Sequence, residues 1–322
     1  MTHLKDDALG RSGGDSGLSP TTPISSPLAQ ATTVPHAAQT TSNASPTKTK
    51  TPIAGAYHDH DFDYQELRAL AEPTLQDVPL LAPEERARPK PTPCQAWDGF
   101  FLLHAEKSSF FKTRRYLALE FPELLDGLPQ RCLLEIGCGY GSSLAAVMEA
   151  NPTLQCFACD LSATALRLLD QTLGPVYGER LTTFVCDVVE QDLPHEVVLP
   201  GSMDFVLMTF MLSAVGTKEA HQAVLQRAHA ALRPGGLLLF RDYGWCDAKM
   251  MQSRKRLGPQ LYLRADGTLA YFFKEEEVWQ LARATNFRVL ECKYATVLSK
   301  NRRKGTAIQR VFLHAKLQRD EA

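Results

Sequence analysis

A glycine-rich segment and an acidic residue carry the clearest chemical signal in the sequence. Gly137, Gly139 and Gly141 alternate with other residues directly after an apolar stretch that contains Glu135. Glycines at this spacing let the backbone pass close to a ligand, because glycine has no Cβ atom and tolerates a positive φ. Asp160, 21 residues after Gly139, has a carboxylate that could accept hydrogen bonds from both hydroxyls of a ribose. The pattern predicts a nucleotide-binding turn.

The elements that must position these residues alternate between strands and helices. Apolar stretches predict strands at 132–136, 155–159, 182–186, 203–208 and 237–240. Helices are predicted to begin near Ser142, to follow a Ser162 cap, and to cover 218–232 and 274–285. Two last strands, at about 288–297 and 308–317, have no helix between them and should pair antiparallel. We expect an α/β fold with a mostly parallel sheet, helices on both faces, and ligands at the carboxyl ends of the strands.

The spacing of the glycines separates two classes of nucleotide site. The dinucleotide fingerprint needs a glycine at position 142, where this chain has Ser142. With Glu135 in front, the segment is E-x-G-x-G-x-G and resembles motif I of class I S-adenosylmethionine-dependent methyltransferases, which have a Rossmann-like sheet. The resemblance implies S-adenosyl-L-methionine as cofactor, with contacts from Gly137, Gly139, Asp160 and, at the adenine amino group, Asp187.

Residues after the fourth predicted strand bear on the methyl acceptor. Enzymes that methylate exocyclic base amines often carry [DN]-P-P-[YFW] there, whereas residues 209–215 of this chain are TFMLSAV. Methylation of a cytosine carbon needs a cysteine nucleophile near the same place, and no cysteine lies between Cys186 and Cys246. Both chemistries are therefore disfavoured.

Collinear blocks over about residues 94–319 resemble the eukaryotic tRNA N3-methylcytidine methyltransferases, which modify C32 in the anticodon loop. The most specific blocks are LFRDYG (239–244) and R-x-D-G-T-x-x-Y-F-F (264–273). The others are WDGFF (97–101), FFKTRR (110–115), LEIGCGYGS (134–142), ACDLS (158–162), FMLSAV (210–215) and RVFLHAKL (310–317). The resemblance implies a tRNA (cytidine-N3-)-methyltransferase whose catalytic domain covers 94–319.

The resemblance also implies roles for residues outside the glycine turn. Trp97 and Phe101 match an aromatic pair that closes over the cofactor, and Thr209 matches a position beside it. Taken alone, an aromatic pair at this spacing is better explained by helix packing. From the chemistry of N3 methylation, Asp242 is the candidate for stabilising charge on the methylated base, Tyr243 for stacking on it, and Arg241 for binding phosphate. A turn, core packing and a structural salt bridge are the respective alternatives.

Basic residues in two parts of the chain predict a surface that binds RNA. Residues 120–247 contain 16 acidic and 7 basic residues, whereas 249–319 contain 16 basic and 5 acidic residues. Such a split favours a polyanion-binding face. The candidate phosphate contacts are Lys112, Arg114, Arg115, Lys300, Arg302, Arg303 and Lys304. The family's FFKDRHW block is FFKTRRY here, with Thr113, Arg115 and Tyr116 as departures beside the RNA-binding region.

The N-terminal part differs from the rest in composition. Residues 1–93 hold 12 of the 20 prolines, one phenylalanine and no cysteine or tryptophan, so we expect a disordered Ser/Thr/Pro-rich extension. Eight cysteines, mostly near predicted strands, favour a reducing compartment. We expect a cytoplasmic or also nuclear protein rather than a mitochondrial one, with neither a membrane span nor a bound metal.

The expected partners are the tRNA anticodon stem-loop and a helper protein such as a seryl-tRNA synthetase, which some relatives need. Two other functions stay open at this point. One is a class I methyltransferase that acts on another RNA position, a protein or a small molecule. The other is a non-catalytic RNA-binding partner subunit, which the intact glycine turn and both acids disfavour.

Overall fold

The computed structural model describes residues 57–105, 112–301 and 305–321, and within them a seven-stranded sheet organises the chain. The strands are β1 Cys132–Ile136, β2 Gln155–Asp160, β3 Leu181–Val185, β4 Met203–Thr209, β5 Leu232–Tyr243, β6 Leu261–Leu263, β7 Leu269–Tyr271, β8 Phe287–Asn301 and β9 Thr306–Arg319. The sheet order is β3-β2-β1-β4-β5-β9-β8, and β6 pairs with β7 in a separate hairpin. The first five strands are parallel, and β9 runs antiparallel to both neighbours. This confirms the predicted fold class and the antiparallel final pair.

Helices cover both faces of the sheet. They are α1 Tyr64–Gln76, α2 Pro83–Ala87, α3 Pro93–His104, α4 Leu117–Glu120, α5 Ser142–Ala150, α6 Ala163–Tyr177, α7 Lys218–Ala231, α8 Ala248–Gln252 and α9 Glu275–Ala284. Along β4, Val206 and Met208 pack into the cluster that contains α7 and α9, whereas Phe205 and Leu207 pack into the cluster of α5 and α6. The alternation follows from the two-residue repeat of a strand, so β4 is buried on both faces.

Local sequence explains where the helices near the glycine turn begin. The Ser162 hydroxyl accepts a hydrogen bond from the Ala165 amide at 3.1 Å, which confirms the predicted cap of α6. Thr217 caps α7 in the same way, through the Ala220 amide. Such caps satisfy amide groups that have no partner inside the helix. The caps therefore fix the start of α6 at Ala163 and the start of α7 at Lys218.

The structure contains folded elements among residues 57–93, N-terminal to the domain boundary that the sequence predicted at residue 94. Helix α1 buries Leu67, Ala71 and Leu75 in a cluster with aromatic side chains from the β5–β7 region. The segment before α1 pairs with β8, since the Thr296 amide donates to the Asp59 carbonyl at 2.7 Å. Pro73 lies inside α1 and removes one backbone hydrogen bond. The burial of these side chains offsets the free-energy cost of that loss. The ordered domain therefore extends N-terminally beyond residue 94, while residues 1–56 lie outside the described part.

The described helices include none that combines the length and apolar character needed to cross a bilayer. The β6–β7 hairpin was not among the predicted strands, because each of its strands has only three residues. Its turn and its second strand lie within the R-x-D-G-T-x-x-Y-F-F block, and Tyr262 and Ala270 of the hairpin pack against the α1 cluster. The hairpin and α1 thus form one wall beside the end of β5.

Candidate active site

A cavity of about 650 Å³ lies at the carboxyl ends of the parallel strands. Its lining includes all of the residues that the sequence predicted as cofactor contacts, namely Trp97, Phe101, Gly137, Gly139, Asp160, Asp187 and Thr209. The parallel order brings them together, because β1, β2, β3 and β4 all end at the same edge of the sheet. Their role in binding stays a prediction, but their placement matches it.

The glycine turn has a backbone that other residues would strain. Gly137 has a φ of 71°, and a Cβ atom there would lie 2.2 Å from Cγ of Met211. Gly141 has a φ of 82°, and its Cβ atom would lie 2.7 Å from Leu173. Both positions therefore need glycine for conformation and for space. The turn leads directly into α5, and Ser142, the first residue of this helix, lines the cavity.

Asp160 connects the turn to the neighbouring strand. Its carboxylate accepts hydrogen bonds from the amides of Gly139 and Ser162, both at 2.9 Å. Burial raises its pKa to about 6, although these two hydrogen bonds act in the opposite direction. A carboxylate has about four lone-pair positions, so two remain for the hydroxyls of a ribose.

Helix α3 carries the aromatic pair and is fixed to α6. The rings of Trp97 and Phe101 lie 5.8 Å apart, and Phe101 is 3.3 Å from the Cβ position of Gly139. Between them, Asp98 accepts from the Ser162 hydroxyl at 2.5 Å and from the Thr164 amide at 3.2 Å. Sequence reasoning missed Asp98, although an acid between two cavity-facing aromatic residues was a usable signal. The pair closes one side of the cavity.

Arg114 lies inside the cavity rather than on an outer surface. Its Nη1 atom donates to the Thr209 hydroxyl at 2.7 Å and to the Ser143 hydroxyl at 3.1 Å. The guanidinium also lies 5.0 Å from the ring centre of Phe210. Below it, Glu135 is fully buried, and burial raises the pKa of this carboxyl to about 7. The sequence placed Arg114 on an RNA-binding face, as part of the FFKTRR block. In the structure, this side chain lines the cavity.

Aromatic rings and two further guanidinium groups line the end of the cavity that lies away from the glycine turn. Tyr243 lies at the end of β5, with its ring centre 5.1 Å from Phe210 and 6.5 Å from Phe312. Arg310 lies 4.8 Å from the ring centre of Phe312 and forms an ion pair with Asp247. The partly exposed Arg264 completes this end. Sequence reasoning named only Tyr243 here, although Arg264 and Arg310 begin two of the family-like blocks.

Two of the predicted catalytic residues are buried away from the cavity. Asp242 has 0% exposure, accepts from the amides of Ser213 and Tyr243, and is not part of the described cavity lining. Its pKa is raised to about 6 by burial. These contacts favour the alternative, a carboxylate that shapes the turn after β5, and the charge-stabilising role stays a prediction.

Arg241 forms a buried ion pair instead of facing a ligand. It is 3% exposed, and its Nη1 lies 2.5 Å from Glu120 and 3.1 Å from the Tyr57 hydroxyl. The same Glu120 oxygen lies 2.9 Å from Nδ1 of His314. Binding phosphate would break this pair, so the structural salt bridge is the alternative that the geometry supports.

The remaining predicted RNA contacts lie at the surface where they are described. Lys112 and Lys300 are exposed, and Arg115 forms an exposed ion pair with Glu149 at 3.0 Å. Arg302, Arg303 and Lys304 lie outside the described residues. No group of three or more metal-ligating side chains forms a metal site among residues 57–105, 112–301 and 305–321.

Comparison with known proteins identifies the family. Residues 108–292 match the family model for a methyltransferase domain. The tRNA N(3)-cytidine methyltransferase METTL6 of Homo sapiens is 36% identical over 227 residues, which cover 68% of this chain and 78% of that protein. The tRNA N(3)-methylcytidine methyltransferase trm140 of Schizosaccharomyces pombe is 32% identical and covers 81% and 86% of the two chains. The chain belongs to the tRNA N(3)-cytidine methyltransferase family.

One further relative and one solved structure are also similar to this chain. The Mettl2 tRNA N(3)-methylcytidine methyltransferase of Drosophila melanogaster is 33% identical over 267 residues, covering 79% of this chain and 80% of that one. Among solved structures, the 1,6-didemethyltoxoflavin-N1-methyltransferase of Burkholderia thailandensis is 21% identical, with a TM-score of 0.49 and coverage of 76% and 93%. As a member of the tRNA N(3)-cytidine methyltransferase family, the protein is an enzyme that uses S-adenosylmethionine.

The cavity fits this cofactor of the N(3)-cytidine methyltransferase family. Asp160 keeps acceptor positions for a ribose, and Gly137 and Gly139 keep side chains out of the space along the turn. Trp97 and Phe101 offer apolar rings that exclude water from one side. S-adenosylmethionine supplies an electrophilic methyl group on a sulfonium, and the residues of the chain bind it and set its direction.

Proposed function

We propose that this protein methylates N3 of cytidine 32 in the anticodon loop of tRNA. The observation that carries the proposal is the second end of the cavity, which is continuous with the glycine turn and is lined by Phe210, Tyr243 and Phe312. Aromatic rings of this kind stack on unpaired bases. A nucleobase held there would lie beside the methyl donor at the ends of β4 and β5.

The guanidinium groups of Arg264 and Arg310 suit the sugar-phosphate part of the same nucleotide. Arginine forms bidentate hydrogen bonds with phosphate, and such contacts set the register of a nucleic acid. Arg310 is held by Asp247 at 2.7 Å and therefore has a fixed direction. Arg264 is more exposed, with 37% of its side chain accessible, and can follow the backbone of the loop.

The chemistry at N3 needs positioning and little else. N3 of an unpaired cytidine has a free lone pair, so no proton must leave before it attacks the methyl group. Holding the reacting atoms in line and about 3 Å apart then supplies most of the catalysis. This requirement agrees with a cavity whose nearest acid on β5, Asp242, is buried in backbone hydrogen bonds.

The choice of an anticodon-loop cytidine follows from accessibility and from the family-like blocks. N3 lies on the Watson–Crick edge, so the base must be unpaired or extruded from a stem. The two most specific blocks contribute Tyr243 and Arg264, which both line the second end of the cavity. We further propose a cytoplasmic location and a helper such as a seryl-tRNA synthetase, which would present the anticodon arm.

Nucleoside mass spectrometry of tRNA from cells with and without this protein tests the reaction. We expect loss of 3-methylcytidine from a subset of tRNAs, and methylation of an anticodon stem-loop in vitro that stops when C32 is replaced by uridine. Unchanged 3-methylcytidine with loss of another methylated nucleoside, or activity on a protein fraction only, would overturn the proposal.

Replacing Tyr243 tests the stacking role with a matched pair of variants. Tyr243→Ala should lower kcat/KM for tRNA by about 5- to 150-fold, because a base–aromatic stack contributes about 1–3 kcal/mol. Tyr243→Phe keeps the ring and should stay within about threefold of the wild type. Equal losses for both variants would show that the hydroxyl, and not the ring face, carries the effect.

A further inference from the structure

The guanidinium of Arg114 lines the cavity and has hydrogen-bonding capacity that its described contacts do not use. Both of its described hydrogen bonds use Nη1, which donates to Thr209 and Ser143. Within the described parts of the chain, Nε and Nη2 have no hydrogen-bond partner, and no carboxylate forms an ion pair with Arg114. The Nε–Nη2 edge is the one that binds a carboxylate in a bidentate manner.

The order of the strands places the polar groups of the cavity side by side along one edge of the sheet. Asp187 follows β3, Asp160 ends β2, the glycine turn follows β1, and Thr209 ends β4. Neighbouring strands lie about 4.8 Å apart, so these groups span about 14 Å. An adenosine bound at Asp187 and Asp160 would have its 5′ substituent over the glycine turn. The amino-acid end of the cofactor would then lie near the tip of β4, where Arg114 donates to Thr209.

The surroundings of Arg114 favour a negative charge at this point. The Arg114 amide donates to the Ser142 carbonyl at 3.0 Å, which fixes the backbone beside the first residue of α5. Helix α5 has nine residues, and the positive end of its dipole adds to the guanidinium charge. Glu135 accepts from the Thr209 hydroxyl at 3.2 Å and forms no ion pair with Arg114 among the described residues.

We propose that Arg114 binds the carboxylate of the methionine portion of S-adenosylmethionine, rather than a tRNA phosphate. The side chain is held inside the cavity by two hydroxyls, so it is oriented before any ligand arrives. Phosphate groups of a stem-loop are better placed to meet Arg264 and Arg310 at the other end. The inference rests on the cofactor and not on which nucleotide accepts the methyl group.

Calorimetry with two ligands tests this assignment without any tRNA. S-adenosylhomocysteine and 5′-methylthioadenosine share the adenosine and the thioether, but only the first carries the amino-acid carboxylate. Arg114→Met should weaken S-adenosylhomocysteine binding by about 10- to 100-fold, the loss expected for hydrogen bonds to a charged group. Binding of 5′-methylthioadenosine should change by less than about threefold. Equal losses for both ligands would overturn the proposal and make Arg114 a structural residue.

The adjacent arginine provides the matched control. Arg115→Met removes an exposed guanidinium that pairs with Glu149, so both affinities should stay at the wild-type values. Unchanged S-adenosylhomocysteine binding in Arg114→Met together with weaker tRNA binding would return this residue to the RNA contacts.

A second comparison uses the wild-type protein, which should bind decarboxylated S-adenosylhomocysteine at least tenfold more weakly than S-adenosylhomocysteine. Equal affinities there would also contradict the proposal, whatever the stability of the variant.

Discussion

Burial raises the pKa of three carboxyl groups in β1, β2 and β5. The pKa of Glu135 is raised to about 7, and those of Asp160 and Asp242 to about 6, in each case mainly by removal from water. Only Asp160 also lines the cavity with acceptor positions left over. A single side chain should therefore control how cofactor affinity depends on pH in the weakly acidic range.

Cofactor affinity should fall below pH 6 through Asp160. Ribose hydroxyls donate to the ionised carboxylate, and a pKa of about 6 in the free protein means that acid converts this acceptor to its neutral form. The affinity for S-adenosylhomocysteine should then fall by up to about tenfold per pH unit below pH 6. Calorimetry from pH 5 to pH 8 measures this, with Asp160→Asn as a weaker-binding control that lacks the dependence. The same pH profile in Asp160→Asn would assign the effect to Glu135 or Asp242 instead.

The ion pair between Arg241 and Glu120 should contribute to folding rather than to tRNA binding. Removing one partner of a buried pair leaves an uncompensated charge, which costs about 3–5 kcal/mol of unfolding free energy. Arg241→Met and Glu120→Leu should each show such a loss in urea unfolding, and the double variant should lose less than their sum. A stable Arg241→Met with abolished tRNA binding would instead support the phosphate role.

At the scale of elements, the wall beside the cavity is assembled from distant segments. Helix α1 packs on the β6–β7 hairpin and on Trp245, and the segment before it pairs with β8. Tyr57, at the start of this segment, reaches the Arg241 guanidinium. The N-terminal segment thus stabilises the end of β5, which presents Tyr243 to the cavity.

Two leucines on α1 test this packing. Leu75 is 2% exposed, and Leu75→Ala should lower the unfolding free energy by about 2–5 kcal/mol because it leaves a cavity in the cluster. Leu70 lies on the same helix but is 78% exposed, so Leu70→Ala should stay within about 0.5 kcal/mol of the wild type. Urea unfolding of both variants gives the comparison. Two equally small effects would show that α1 does not dock on the domain in solution.

For the molecule as a whole, the β8–β9 ladder extends past the end of β5 on the side of the sheet where the cavity lies. Tyr243 pairs with Phe312, and the β8–β9 ladder continues from there to Asn301 and Thr306. Six residues at about 3.4 Å each carry this ladder about 20 Å beyond the end of β5. Lys300, one residue before the end of β8, therefore lies on the cavity side of the sheet, whereas Arg302, Arg303 and Lys304 lie outside the described residues. This placement suits contacts with the part of a tRNA that lies outside the cavity.

Neutralising the four basic residues of segment 300–304 should weaken tRNA binding in a salt-dependent way. Replacing Lys300, Arg302, Arg303 and Lys304 by glutamine should lower affinity and reduce the slope of log K against log salt by about 0.7 for each lost phosphate contact. Arg288→Gln is the control, because Arg288 pairs with Gln318 at the opposite end of β8. Fluorescence anisotropy with a labelled stem-loop at several salt concentrations measures the slope. An unchanged slope in the fourfold variant would contradict a phosphate-binding role.

The sequence by itself determined the parts of this protein that depend on neighbours along the chain. The strands, the glycine turn, the Ser162 cap and the acid of β2 lie within short segments, where backbone preferences and a two-residue or helical repeat act locally. The family-like blocks extended this to the cofactor and the class of reaction. Every predicted cofactor contact accordingly lines one cavity.

Only the tertiary structure decided what each remaining polar residue does. Arg114 meets Thr209 across 95 positions, Arg241 meets Glu120 across 121, and Tyr57 meets Arg241 across 184. A sequence shows that these side chains are charged or polar, but it does not show which of them are taken out of water together. Because burial and pairing decide whether a guanidinium faces a ligand or a carboxylate, that assignment required the packed fold.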